Sequence, residues 1–71
     1  MQGEVALTFI IGRDGRVEMR TIRVIAAAHP DLVEPTLRAI EQMRFRPGIL
    51  HGSPVRVRAN LPVVWSLRDS G

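Results

Sequence analysis

The thirteen residues from Val55 to Leu67, VRVRANLPVVWSL, constrain the fold more than any other stretch of this chain. Apolar side chains stand at every second position, which is the period of a β-strand with one buried face, and the run is long for a strand. Pro62 within it cannot donate a ladder hydrogen bond, so an edge position or a bulge is predicted. A long edge strand leaves N–H and C=O groups unpaired, and it therefore favours pairing with another copy of the chain or with an extended peptide.

Two more strands are predicted before this segment. Residues 4–11 alternate in the same way, and the GRDG segment at 12–15 provides two glycines for a hairpin turn. A second strand is expected over 16–25, where the parity of the apolar residues changes. A bulge near Arg20 or Thr21 would correct this change and turn both apolar pairs toward the core, Val17 with Met19 and Ile22 with Val24.

A single helix is predicted between the second strand and the last one. Apolar residues recur at helical spacing and form one stripe: Val33, Leu37, Ile40 and Met43. Pro35 is tolerated in a first helical turn, which places the start at Val33 or Glu34, and Pro47 with Gly48 marks the end. A helix of about three turns must pack on a sheet to be stable.

The order strand, strand, helix, strand (β-β-α-β) predicts an α+β fold, a three-stranded antiparallel sheet with one helix packed on one face. One domain is expected over residues 3–68, followed by a loose tail at 69–71. Phe45 follows the apolar stripe and precedes the turn, so we expect it to close the core between the helix end and the sheet, with Trp65 as its partner.

Length and composition favour an interaction module over an enzyme. The chain has 71 residues, no cysteine and two isolated histidines, His29 and His51, and a domain of this size buries only about 60% of its unfolded surface. We therefore expect no disulfide, no metal site and no cofactor, and we expect a homodimer to bury further apolar surface. The carboxylates lie in loops or beside arginines and no nucleophile motif is present, so no catalytic residue is predicted.

The arginines allow a different interpretation. All ten basic residues are arginine; Arg56 and Arg58 share a strand face, and Arg44 and Arg46 flank Phe45, a set able to contact phosphates. The sequence lacks the exposed aromatic platforms and the basic recognition helix that nucleic-acid binding uses. Solvated arginines on a strand face are the favoured interpretation, and nucleic-acid binding is the lesser alternative. No run approaches the roughly 20 apolar residues of a membrane span.

Three segments in this order resemble the C-terminal domain of TonB-type energy transducers over Gly3 to Leu67: GEVALTFIIGRDGRV, LVEPTLRAIEQMRFRPG and HGSPVRVRANLPVVWSL. A helix ending in arginine, aromatic, any residue and proline matches 44–47, which contains Phe45 and Pro47. A G-x-P-V turn matches 52–55. The last strand, with a proline and then an aromatic residue, matches Pro62 and Trp65.

The resemblance implies a periplasmic, non-enzymatic domain whose parent protein is anchored in the inner membrane by an N-terminal helix. Such proteins couple the proton-motive force to import through outer-membrane transporters, and their terminal domain captures a transporter segment, the TonB box, as an added β-strand. By the same resemblance, backbone groups provide much of the affinity and side chains tune it. The partner-binding residues that it implies are Val55, Arg56, Val57, Arg58, Ala59, Asn60 and Leu61.

Overall fold

The computed structural model describes residues 2–66, which form five strands, one 3-10 turn and one α-helix. In chain order these are β1 (Gln2–Ile11), β2 (Val17–Ala27), the 3-10 turn (Pro30–Leu32), α1 (Val33–Gln42), β3 (Gly48–Leu50), β4 (Ser53–Val55) and β5 (Val57–Ser66). An antiparallel sheet has the strand order β2–β1–β5, and β3 with β4 forms a separate hairpin. The predicted α+β fold, with a three-stranded antiparallel sheet and one helix, is confirmed.

The last predicted strand is divided at Arg56. Its first part is β4, which pairs with β3, and the remainder is β5, which pairs with β1. The β3–β4 hairpin is not predicted from the sequence; its two-residue turn is formed by His51 and Gly52, which have positive φ angles of 52° and 80°. Leu67 and the predicted tail at 69–71 lie outside the described residues.

β1 occupies the centre of the sheet and carries most of the core. Val5, Leu7 and Phe9 are fully buried, as is Ile40 of α1, and Ile11 is nearly so. The inner-face residues of β5 pack beside them and are half-buried: Val57, Ala59, Leu61, Val63 and Trp65. Full burial of one large apolar side chain stabilises a fold by about 1.5–3 kcal/mol, so the alternation of β1 and β5 decides which sheet face is covered.

The β1–β2 turn forms where the GRDG segment predicts it. The N–H of Gly12 donates to the carbonyl oxygen of Arg16 (2.8 Å), and the N–H of Arg16 donates to the carboxylate of Asp14 (3.0 Å). Gly15 has a φ of 82°, and a Cβ at this position would overlap the carbonyl oxygen of Phe45. Glycine is therefore required at position 15 by both conformation and space.

The predicted bulge in β2 is confirmed. The register shifts between Thr8 and Ile10 of β1, opposite residues 18–23 of β2. The hydroxyl of Thr21 accepts a hydrogen bond from the N–H of Ile10 (2.9 Å) and donates to the carbonyl oxygen of Glu18 (2.6 Å). A side chain thus takes the place of the missing ladder partner.

The bulge does not bury all four of the β2 residues expected to face the core. Val17 and Ile22 pack against the core, whereas Met19 and Val24 are 39% and 40% exposed. Val24 pairs with Leu7 and therefore lies on the same sheet face as that buried residue, although it is only partly covered. The expectation of four core-facing residues is wrong for Met19, which lies inside the bulge, where the regular alternation stops.

α1 begins at Val33, as predicted, but it ends at Gln42 and not at Pro47. Met43 leaves the helical region with a ψ of 147°. The N–H of Phe45 then donates to the carbonyl oxygen of Gly15 in the β1–β2 turn (2.8 Å). The chain leaves the helix early because this pairing with the turn holds the segment after Met43 in an extended conformation.

Phe45 packs against the core near the helix end, as predicted, but its aromatic partner is Phe9. The two ring centroids lie 5.9 Å apart and the rings are inclined at 45°. The expected pair with Trp65 is wrong because Trp65 lies opposite Gly3, at the other end of the sheet. The indole N–H of Trp65 donates instead to the hydroxyl of Thr36 (2.8 Å).

Thr36 connects the helix to the edge strand β5. Its side chain is fully buried, and its hydroxyl donates to the carbonyl oxygen of Leu32 (2.6 Å) while accepting the bond from Trp65. Both polar side chains are satisfied by this arrangement, so the contact leaves neither of them as an unpaired buried group.

Replacing Thr36 by valine should lower the free energy of unfolding by about 1–3 kcal/mol, because the indole N–H of Trp65 loses its acceptor while the side-chain shape is kept. Thr8→Val is the matched control: the Thr8 hydroxyl is buried and has no hydrogen-bond partner within the described part of the chain, so its removal should be neutral or stabilising. Urea unfolding followed by circular dichroism measures both variants. Equal destabilisation by the two substitutions would contradict the assigned role of Thr36.

Candidate functional site

The candidate site is the outer edge of β5. In the sheet order β2–β1–β5, β5 has β1 on one side and no strand on the other among residues 2–66. Its ladder with β1 runs without a register shift from Gln2 opposite Ser66 to Ile11 opposite Val57. Of the two positions predicted for the strand containing Pro62, an edge or a bulge, the structure therefore has the edge.

Two hydrogen bonds show which backbone groups of β1 face β2. The N–H of Ala28 donates to the carbonyl oxygen of Glu4 (2.9 Å), and the N–H of Ile10 donates to the Thr21 hydroxyl (2.9 Å). Both groups on β1 belong to even-numbered residues. Because the N–H and C=O of one residue share a direction and successive residues alternate, the odd-numbered residues of β1 bond β5.

The orientation of β5 follows from its register with β1. Odd-numbered residues pair with odd-numbered residues, as in Val5 with Val63 and Phe9 with Ala59, so the odd-numbered residues of β5 bond β1. The even-numbered residues direct their backbone groups to the free edge: Arg58, Asn60, Pro62, Val64 and Ser66. The nitrogen of Pro62, which carries no hydrogen, thus faces outward. The free edge presents five carbonyl oxygens but only four N–H donors.

The other edge of the sheet is less suited to pairing. β2 has the large bulge described above and a second register shift opposite Ala6 and Leu7. It also carries two exposed arginines, Arg20 and Arg23. β5 also carries an exposed arginine, Arg58, so the register shifts are what separate the two edges. Bulges on an edge strand disfavour addition of another strand, and the regular edge of β5 is therefore the better template.

The seven predicted partner-binding residues do not form one continuous edge. Val55 belongs to β4 and pairs with Gly48, and Arg56 lies at the break between β4 and β5. Arg58 and Asn60 direct their backbone groups to the free edge and their exposed side chains to the uncovered sheet face. The remaining three are half-buried on the inner face: Val57, Ala59 and Leu61.

Arg56 forms a bidentate ion pair with Glu18 of β2. Its Nε lies 2.6 Å from one carboxylate oxygen and its Nη2 lies 2.7 Å from the other. The hydrogen bond from Arg56 is the main cause that lowers the pKa of Glu18 from its ordinary value of 4.5, and the same contact raises the pKa of Arg56. The pair joins β2 to the start of β5, and the two residues are 38 positions apart in the sequence, which is why sequence patterns do not predict it.

The ion pair also lines an open groove beside the β1–β2 turn, with a volume of about 610 Å³. The groove contains arginines and carboxylates: Arg13, Asp14, Arg16, Glu18 and Arg56. Within residues 2–66 no three His, Cys, Asp or Glu side chains are grouped so as to hold a metal ion. In the same part of the chain, no α-helix has the length and apolar character of a membrane span.

Comparison with known proteins identifies one family. The family model described as Gram-negative bacterial TonB protein C-terminal matches residues 1–67, which is nearly the whole chain. No curated protein matches the sequence.

A double-mutant cycle with Glu18→Gln and Arg56→Gln measures the coupling free energy between the two side chains. We expect this coupling to be favourable at neutral pH and to vanish in acid. The pKa of Glu18 is lowered in the folded state, so its contribution is complete above the ordinary value of 4.5 and is lost as the pH falls through the lower folded value. Denaturant unfolding at each pH gives the four stabilities of the cycle.

A second cycle provides the control for this prediction. The ion pair of Glu34 with Arg38 has one contact of 2.8 Å, and both side chains are 76% exposed, so its coupling should be smaller and more easily screened by salt. A coupling between Glu18 and Arg56 that persists unchanged in acid would show that it does not arise from the ion pair.

Proposed function

Because the chain belongs to the family of Gram-negative bacterial TonB protein C-terminal domains, we propose that it binds the TonB-box segment of an outer-membrane transporter by β-strand addition at the free edge of β5. Family membership supports a transport-associated, non-enzymatic domain of the cell envelope. The single observation that supports strand addition most is the regular outer edge of β5, which is ten residues long.

In this proposal the backbone of β5 provides the affinity. The bound segment forms ladder hydrogen bonds with the outward groups of Arg58 and Asn60 on one side of Pro62 and with those of Val64 on the other. At Pro62 only the carbonyl oxygen is available. The proline therefore separates the edge into two short pairing segments, and a ligand strand is expected to make its best contacts on one of them.

The predicted partner-binding residues take different roles within the proposal. Arg58 and Asn60 contact the ligand through backbone and side chain. Val55 and Arg56 lie at the entrance to the edge and fix the start of β5 through Gly48 and Glu18. The remaining residues of the set hold the edge in place by packing on the core: Val57, Ala59 and Leu61.

The coupling function is proposed for the parent protein. An N-terminal helix in the inner membrane would connect a proton-driven motor to this domain in the periplasm. Pulling on an added strand loads its hydrogen bonds together along the strand axis, so strand addition suits the transmission of force to a transporter. The domain then contributes to import by holding the TonB box while energy is transferred.

A second copy of the chain is the alternative occupant of the same edge. Two β5 edges can pair in an antiparallel manner about a two-fold axis and form a homodimer that serves as an envelope interaction module. Nucleic-acid binding by the arginines is the weaker alternative, because the guanidinium of Arg56 is already engaged by Glu18.

Titration of isotope-labelled protein with a synthetic TonB-box peptide should shift the amide resonances of Arg58 and Asn60 more than those of Val57 and Ala59. The first two N–H groups face the free edge, whereas the other two already bond β1. A peptide methylated on every second backbone nitrogen, at the positions that would face β5, should bind more weakly than one methylated at the intervening positions. Shifts confined to α1 would refute binding at this edge.

Asn60→Pro and Pro62→Ala form a matched pair, since the first removes an outward N–H and the second adds one. Each ladder hydrogen bond contributes about 0.5–1.5 kcal/mol, so Asn60→Pro should weaken peptide binding about two- to tenfold and Pro62→Ala should strengthen it. Calorimetric titration measures the affinity, and circular dichroism checks the fold. Sedimentation of the same variants without peptide tests the homodimer, which Asn60→Pro should weaken and Pro62→Ala should strengthen. Unchanged peptide affinity in both folded variants would contradict strand addition.

A further inference from the structure

The β3–β4 hairpin exposes two large aliphatic side chains. Ile49 is 64% exposed and Leu50 is 57% exposed, and because they are neighbours on one strand their side chains point to opposite faces of the hairpin. The turn that follows is exposed, and among residues 2–66 no atom beyond Gly52 and its two chain neighbours lies within 4 Å of the position that a Cβ would take at Gly52. The hairpin tip therefore projects from the domain with an apolar side chain on each face.

The same end of the molecule carries its excess positive charge. Segments 12–18 and 44–58 are joined by the Phe45 to Gly15 hydrogen bond and by the bridge between Arg16 and Arg44. Together they contain two carboxylates and six arginines, a net charge of +4 in a chain whose total is +3. All six arginines are exposed: Arg13, Arg16, Arg44, Arg46, Arg56 and Arg58.

The opposite end of the sheet carries acidic residues. Glu4 lies there on β1. Its neighbour Gly3 is so close to Leu32 that a Cβ at Gly3 would overlap the Leu32 side chain, so the segment containing Leu32 lies at this same end. Leu32 belongs to the segment that contains the exposed acids Asp31 and Glu34. The domain is thus polarised along its strands, and a negatively charged surface would orient it with the hairpin tip foremost.

We propose that the β3–β4 hairpin tip binds the surface of a membrane that contains anionic lipids, with Ile49 and Leu50 entering the headgroup region. A flat protein surface would cover only one face of the hairpin, whereas a lipid interface surrounds both. Arg56 is engaged by Glu18, and the other arginines around the tip meet lipid phosphates at the depth where the aliphatic side chains enter. Apolar insertion and basic attraction are the two signals that peripheral membrane binding requires in combination.

This inference does not rest on the free edge of β5, which lies along the side of the domain, although Arg56 and Arg58 belong to both sets of residues. A nucleic-acid surface would match the arginines but would leave the aliphatic pair without a role, since single strands are bound by aromatic stacking. Lipid is therefore the occupant that accounts for both the charge and the apolar tip.

Co-sedimentation of the domain with vesicles tests the proposal. Binding to phosphatidylglycerol vesicles should exceed binding to phosphatidylcholine vesicles and should fall as salt is added. Ile49→Thr should lower the partition coefficient at least fivefold, because each buried methylene lost corresponds to about fourfold. Ile25→Thr is the matched control, since Ile25 is 62% exposed on β2 and away from the tip, and it should change nothing.

Charge variants complete the test. Arg46→Gln should lower the partition coefficient about fivefold, whereas Arg23→Gln, which removes the same charge from β2, should have a smaller effect. Equal loss from Ile49→Thr and Ile25→Thr, equal binding to both vesicle types, or no vesicle binding at low salt would each overturn the proposal. Binding of a DNA duplex without vesicle binding would do so as well. Unchanged TonB-box affinity in Ile49→Thr would confirm that the tip acts separately from the β5 edge.

Discussion

The structure depends on β1 being paired along both of its edges while one whole face of it is buried. Val5, Leu7 and Phe9 supply the fully buried core of this strand, and β2 and β5 complete its backbone hydrogen bonds. A sheet of three strands then has two outer edges, and neither is paired with a further strand among residues 2–66. The regularity of the strand at each edge decides whether a further strand can bind there.

The two edge strands differ in regularity. β2 is interrupted by two register shifts, and the larger one is stabilised by the Thr21 hydroxyl, which bonds Ile10 and Glu18. β5 is regular over ten residues and is anchored by the bond from Trp65 to Thr36 near one end. Within β5, Pro62 is the one outward-facing residue that lacks a backbone N–H donor. A strand with a single missing donor still accepts a partner, but it is a poorer template for indefinite extension of a sheet.

Local patterns in the sequence predict the parts of the fold that depend on local periodicity. The alternation of β1 and of the last strand, the bulge inferred from a parity change, and the helix start beside Pro35 are all present. The features that differ from expectation depend on long-range pairing: α1 ends early because Phe45 bonds Gly15, and Phe45 meets Phe9 because the antiparallel register takes Trp65 to the other end of the sheet.

The candidate site is predictable only in part for the same reason. The alternation of the last strand assigns side chains to faces, but it does not tell which N–H groups bond β1 and which face outward. That assignment requires the register with β1 and the direction of the Ile10 and Ala28 hydrogen bonds. The ion pair that fixes Arg56 is likewise formed by Glu18, a residue far away in the sequence.

Hydrogen exchange of individual β5 amides in the dilute protein, without any partner, tests the central claim most directly. The orientation of β5 against β1 predicts an alternating pattern, with slow exchange at Ala59, Leu61 and Val63, which bond β1, and fast exchange at Arg58 and Asn60, which face the free edge. Equal protection of neighbouring amides along β5 in a monomer would contradict a free edge on this strand.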